Sequence, residues 1–279
     1  MEIKTLNGVS SKAITDVFNL SFSDYFIPFK LTEKQMIDKM EADKTYLDLS
    51  VGVFENGALI GFILHAKDNI NGKNLVYNGG TGVVPTKRGC GLTKKMYSFI
   101  LPILQEKGID SLILEVISYN QQAIKSYEQS GYKKVKTLAC YKGSLKPLEI
   151  NNSIKIKALK QYDWDIMESF WDIAPTWQAS KNVLNTLMKT NVSLGAYQQN
   201  KLIGYCIYNP KNNRIQHLAV AKNFRKNKIA STLLSEISKV HGNTISIINI
   251  DKKSKPINQF FKTVGLEEYL EQLEMKLEL

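Results

Sequence analysis

The chain has 279 residues, 43% of them hydrophobic and 23% charged, with a formal net charge of +11. That is globular composition, and the length suits two domains better than one. No apolar run approaches the ~20 residues that a membrane span requires, which excludes a spanning segment. The N-terminus, MEIKTLNGVSSK, lacks the apolar core of a secretion signal, so the chain reads as cytoplasmic. Cys90, Cys140 and Cys206 show no close pairing, so neither a disulfide framework nor a metal site is expected. The positive surplus could serve nucleic acid, an acidic membrane surface or an anionic small molecule. It is nearly all lysine and is scattered, which argues against nucleic acid or a membrane as partner. Arginine occurs only at Arg88, Arg214 and Arg225.

In chain order, EIKTL (2–6) is a short alternating strand before an amphipathic helix. VGVFENGALIGF (51–62) has the strand, polar turn, strand pattern of a β-hairpin. VVPTKRGCGLTKKMYSFIL (83–101) is a strand end, a loop and a helix. SLILEVI (111–117) suits a strand buried on both faces. NQQAIKSYEQSGY (120–132) is a helix that ends at Gly131. After GSLKPLEI (143–150) the same series returns: SIKIKAL, LGAYQQNKLIGY, VAKNFRKNKIASTLLSEI, TISIINI and QFFKTVGL. Gly52 then matches Gly195, Gly61 matches Gly204, Arg88 matches Arg225 and Gly131 matches Gly265. Five matched blocks in one order predict two tandem α/β domains of one fold, 1–145 and 150–279.

The loop of the first copy is the candidate anion site. Val83 and Val84 end a strand, and Pro85 denies it a further ladder hydrogen bond. Arg88, Gly89, Cys90 and Gly91 follow, and Leu92 and Thr93 open an amphipathic helix. Glycines let the backbone turn sharply and approach a ligand. The free amides of a helix start carry the positive end of its dipole, so a diphosphate is the natural occupant.

The spacing Val-x-Pro-x-x-Arg-Gly-x-Gly resembles the signature of the GNAT superfamily of N-acetyltransferases, with Thr93 where the family usually has glycine or alanine. Asn120, Ala123, Tyr127, Gly131 and Tyr132 resemble that family's second element. The resemblance implies a mixed, mostly antiparallel central sheet flanked by helices in each domain. It implies acetyl-CoA as co-substrate, bound by the residues from Val83 to Thr93 and by Asn120, which also suits a helix cap. A backbone N–H at Val83 or Val84 would meet the oxyanion, and Tyr127 would protonate the leaving thiolate. The acceptor would be a primary amine. It must be neutral to attack, which needs a base or a water relay; the base is open, with Glu115 one candidate. Asp24 and Tyr25, in the early region that walls the acceptor site, are candidates to receive a cationic amine.

The second copy departs from this pattern. Gly89 and Gly91 become Lys226 and Lys228, Asn120 becomes Ser254 and Tyr127 becomes Phe261. Lysines attract anions as point charges, but at positive φ they are not expected to give the close amide approach of glycine. Phenylalanine donates no proton, so this half is expected not to catalyse. His217, alone on a strand, reads as structural. The alternative for the whole chain is an acyl-CoA-binding sensor or scaffold without turnover. The acceptor and the oligomeric state are open.

Overall fold

The computed structural model describes residues 1–26 and 29–279. It forms two compact units, Met1–Val135 with Leu273–Leu279, and Lys136–Gln272. In the first unit the order is β1 (Glu2–Thr5), α1 (Ser11–Ser21), α2 (Glu33–Asp43), β2 (Val51–Glu55), β3 (Ala58–Ile70), β4 (Lys73–Val83), α3 (Leu92–Glu106), β5 (Ser111–Ile117) and α4 (Gln121–Gln129). Next comes β6 (Lys133–Ser144), which leads into the second unit with β7 (Lys155–Ala158), α5 (Trp164–Glu168), α6 (Lys181–Thr186), β8 (Val192–Gln198), β9 (Lys201–Asn209), β10 (Arg214–Val220), α7 (Ile229–His241), β11 (Thr244–Asp251), α8 (Lys255–Thr263) and β12 (Glu267–Glu278).

The unit boundaries differ from 1–145 and 150–279 for a reason no local pattern carries. From Lys136 onward β6, which follows the first repeat, belongs to the second unit and pairs antiparallel with β11. The end of β12, which follows the second repeat, belongs to the first unit, where Leu273, Met275 and Leu277 join the core. Each repeat thus gives its last strand to the other unit.

Local chemistry explains most of the elements. Ser10 caps α1 through Ala13 N at 3.2 Å, and Thr32 with Gln35 forms a capping box on α2. Asn56 and Gly57, at φ 51° and 79°, make the two-residue turn of the β2–β3 hairpin. The helices α4 and α8 end identically. Gly131 N bonds Glu128 O and Tyr132 N bonds Tyr127 O, while Gly265 N bonds Lys262 O and Leu266 N bonds Phe261 O. Both glycines sit at positive φ, as a Schellman ending requires.

Each unit has a mixed, mostly antiparallel sheet flanked by helices, as the resemblance implied. In the first, β1, β2, β3 and β4 pair antiparallel and β5 joins β4 in parallel. In the second, β7, β8, β9 and β10 repeat that order and β11 joins β10 in parallel. The parallel pairings are short. Leu75–Tyr77 pairs with Ser111–Ile113, after which β4 runs on to Val83 and β5 to Ile117. In the second unit the described register is Arg214 with Ser246 alone. Such a parting of neighbouring strands opens a cleft in each unit, roofed by the helix that follows each strand.

Candidate functional site

In the first unit the loop after β4 has the predicted form. Pro85–Lys87 is a single 3₁₀ turn, Gly89 and Gly91 lie at φ 76° and 68°, and Gly91 precedes α3 with no side chain capping it. A Cβ built at either glycine meets no atom within 4 Å. The glycines are therefore favoured by backbone conformation, and the space beside them is open.

Arg88 is a buckle. Its Nε donates to Val83 O at 3.3 Å, and its terminal nitrogens donate to both carboxylate oxygens of Asp24, at 2.7 and 2.8 Å, and to Ser21 O at 2.7 Å. The guanidinium holds the Asp24 carboxyl below the usual carboxylate range. Asp24 thus meets Arg88, in a charge-assisted bidentate pair, where the sequence reading had it receiving the amine. The candidate base, Glu115, accepts from Tyr77 Oη at 2.6 Å and is not on the wall of the cavity described below.

The two candidate oxyanion donors separate. Val84 N donates to Ile60 O at 3.0 Å, and the Val84 side chain is in the core. This makes Ile60 and Val84 a hydrogen-bonded antiparallel pair. By alternation, Gly61 and Val83 form a non-bonded pair, so Val83 N–H points away from β3 towards the parted edge. Val84 is corrected from the expected set for that reason, and Thr81 joins Val83 by the same alternation.

Val83, Arg88, Gly89, Gly91, Leu92 and Thr93 line a cavity of about 590 Å³, together with Asp24, Tyr25, Asn120 and Tyr127. Cys90 lies outside its wall; the thiol is exposed and approaches Arg88 O at 3.7 Å. Lys94 and Lys125 also line it and have no ion-pair partner among the described residues. Asn120 caps α4 by accepting from Ala123 N at 3.1 Å, and its Nδ2 reaches Tyr25 Oη at 3.4 Å. Tyr25 stacks edge-on with Phe22 and Phe26, and Phe26 with the exposed Tyr119. This aromatic wall is partly legible in SFSDYF.

Tyr127 is half-buried on α4 beneath β4. Burial pushes its hydroxyl up to about 12, with hydrogen bonds from Thr81 and Asn78 pulling back. Asn78 Nδ2 in turn reaches Thr81 Oγ1 and Tyr97 Oη, each at 2.8 Å, and Tyr97 Oη meets Tyr132 Oη at 3.1 Å. The sequence reading missed Asn78, Thr81 and Tyr97. The signal was NGGTG (78–82), a glycine-rich strand end, in which Gly82 also leaves room for Phe62 and Ser21.

The second unit corrects one expectation. Lys226 and Lys228 adopt φ 63° and 61°, close to Gly89 and Gly91, and Lys228 precedes α7 without a side-chain cap. Arg225 repeats the buckle, with Nε to Val220 O at 3.2 Å and terminal nitrogens to Asp172 and Phe170 O. Tertiary ties impose the turn on side chains that disfavour it by roughly 1 kcal/mol each. The acid is absent, as Phe261 is buried in the core. Ser254 precedes α8 but makes no cap hydrogen bond.

Among the described residues no group of three or more His, Cys, Asp or Glu could hold a metal ion, and no helix is long and apolar enough to cross a membrane.

The sequence profile of the acetyltransferase (GNAT) family matches residues 14–132, and that of an acetyltransferase (GNAT) domain matches 161–276. No curated protein matches the chain in sequence. Among solved structures, a tandem GNAT protein from the clavulanic acid biosynthesis pathway is similar with a TM-score of 0.76 at 12% identity, covering 99% of this chain and 98% of that one. A GCN5-related N-acetyltransferase from Sphaerobacter thermophilus gives 0.73 at 14%, covering 99% and 95%. A putative acetyltransferase from Pyrococcus horikoshii gives 0.72 at 15%, covering 100% and 89%. At such identities the likeness is one of fold.

Proposed function

The chain belongs to the GNAT acetyltransferase family in both halves, and from that premise we propose that its N-terminal unit transfers acetyl from acetyl-CoA to a primary amine by direct attack. The observation that carries this reading is the cavity in which the glycine loop, the parted edge of β4 and Tyr127 meet. The residues fit the coenzyme: the space beside Gly89 and Gly91 is open, the α3 amides are uncapped, and Lys94 and Lys125 add positive charge. Acetyl-CoA would supply the activated acetyl group.

The residues have distinct parts. The amides after Gly91 bind the diphosphate, and Asn120 and Ala123 border the arm. Arg88 holds the loop to the end of α1 and does not itself face phosphate. The amide of Val83 is placed to donate to the developing oxyanion. Tyr127 gives its proton to the leaving thiolate, and a hydroxyl pushed up to about 12 holds that proton at neutral pH. Thr81 and Asn78 aim it. Tyr25, with Phe22 and Phe26, walls the approach of the amine, and a cationic amine with an apolar body would suit that wall. In the second unit Phe261 and the uncapped Ser254 leave this chemistry without an acid, so it does not turn over.

The test is release of free thiol from acetyl-CoA across a panel of polyamines, amino acids, aminoglycosides and peptide amines. Amine-dependent release that Tyr127→Phe suppresses supports the reading. Saturable acetyl-CoA binding with no amine-dependent release across the panel would replace it with a binding protein.

A further inference from the structure

The second unit has its own cavity, about 540 Å³, beneath Lys226 and the start of α7. Phe170, Trp171, Leu218, Ile257, Phe260 and Phe261 give it an apolar lining. Thr176, Gln216, His217, Ser231 and Asn249 are polar groups within that lining, and His217 is the one whose place in the fold differs most from the first unit. The strand registers Leu64 with Gly80 and Ile207 with His217 put His217 where the first unit has glycine. Gly80 is not on the wall of the first cavity, whereas the imidazole lines the second.

The orientation of that imidazole follows from its partners. Trp171 Nε1 can only donate, and it donates to Tyr205 Oη at 2.5 Å. Tyr205 is fully buried, and the acceptor for its own proton is His217 Nδ1 at 2.8 Å. A buried hydroxyl proton without an acceptor is costly, so Nδ1 accepts and Nε2 carries the hydrogen. The ring is fixed by stacking on Tyr205, 11° from parallel, and by Trp171 at 4.9 Å. Burial holds the imidazole down to about 4, so it is neutral at neutral pH. Nε2–H has no acceptor among the described residues, and the ring lines the cavity.

At the mouth, the α7 amides are uncapped. Lys228 pairs with Glu149 at 2.6 Å, whereas Lys226 has no ion-pair partner among the described residues. The site thus offers three things in series: positive charge at the rim, a largely apolar lining, and a neutral N–H donor within.

We propose that the C-terminal unit binds, without turning it over, an amphipathic anion: an acidic head at Lys226 and the α7 amides, an apolar body among Trp171 and Phe260, and a hydrogen-bond acceptor on that body at His217 Nε2. A carboxylate and a phosphate ester share this chemistry. The site stands independently of catalysis in the first unit.

The chain carries its own reporter. All three tryptophans, Trp164, Trp171 and Trp177, lie in the second unit, and Trp171 lines the cavity. Tryptophan fluorescence of the full chain is titrated with 3-oxodecanoate, 3-oxodecyl phosphate, decanoate and 2-decanone, each below its micelle concentration. Saturable binding of one or both oxo acids is expected, with the tighter of the two identifying the head. The ketone without an acid should bind at least tenfold more weakly, and decanoate, without the carbonyl, at least threefold more weakly. His217→Phe should remove the difference between decanoate and 3-oxodecanoate. Lys226→Glu, at an exposed position, should weaken both acids at least fivefold, and Ser231→Phe should abolish the signal by filling the cavity. No saturable signal, a ketone as tight as the acids, or unchanged affinity in Lys226→Glu and Ser231→Phe would each overturn the proposal.

Discussion

The two clefts have the same rim and different floors. Gly89 and Gly91 make the turn in one, Lys226 and Lys228 in the other, and the same arginine buckle fastens both. Glycine is therefore not what makes the turn; the arginine ties mark where it must be. The floors diverge. Thr81 and Tyr127 line the first cleft where Leu218 and Phe261 line the second, so two hydroxyls give way to apolar side chains. Phe261 both removes the proton donor and adds to the apolar lining of the second cavity.

The sharpest attack on the comparison is on what completes each unit. Deleting Leu273–Leu279 removes three core side chains from the first unit, about 5 kcal/mol of burial. Hydrogen exchange should show protection falling chiefly in residues 1–135; an equal loss in both units would refute the assignment of that segment. Next in size is Tyr127→Phe. Turnover should fall about 10²–10⁴-fold with coenzyme affinity, measured calorimetrically, nearly unchanged. Because the hydroxyl is pushed up to about 12, the wild-type rate should show no alkaline loss attributable to this acid below about pH 11.

A third prediction uses pH. His65 is fully buried in the first unit, and burial holds its imidazole down to about 4 from 6.5. Between those values the unfolded chain binds a proton that the folded unit refuses. Stability should therefore fall as pH drops from 6.5 towards 4, by roughly 3 kcal/mol, and level off below. His217 acts in the same direction in the second unit. Urea midpoints of wild type and His65→Gln measure the share of each. The smallest effect is the most direct test of the rims. Lys228→Gly should stabilise the second unit by about 1 kcal/mol by relieving a left-handed lysine, and Gly91→Lys should cost the first unit as much. Thermal melts of the two variants would move in opposite directions; shifts of the same sign would mean the loops are not equivalent.

Much of this was legible in the sequence because it is local. Hairpin turns, the glycine endings of α4 and α8, and the paired arginines all follow from residues a few positions apart. The placement of Gly89, Gly91, Asn120 and Tyr127 around one cavity followed from matched motifs. What sequence could not give depends on long-range partners. Whether Val84 or Val83 has a free amide depends on its register with Ile60 and Gly61 across a hairpin. Asp24 looked available until Arg88, 64 positions away, took both of its oxygens. The lysines at the second rim looked incompatible with the turn because propensity was weighed without the ties that impose it.

The exchange of final strands sets an order of assembly. Synthesis delivers Met1–Val135 first, yet the residues that close its core, Leu273 to Leu279, follow only after the whole of the second unit. Through most of translation the catalytic candidate waits with an unfinished hydrophobic edge, a state open to aggregation. A nonsense mutation just before Leu273 would strike the half that was made first.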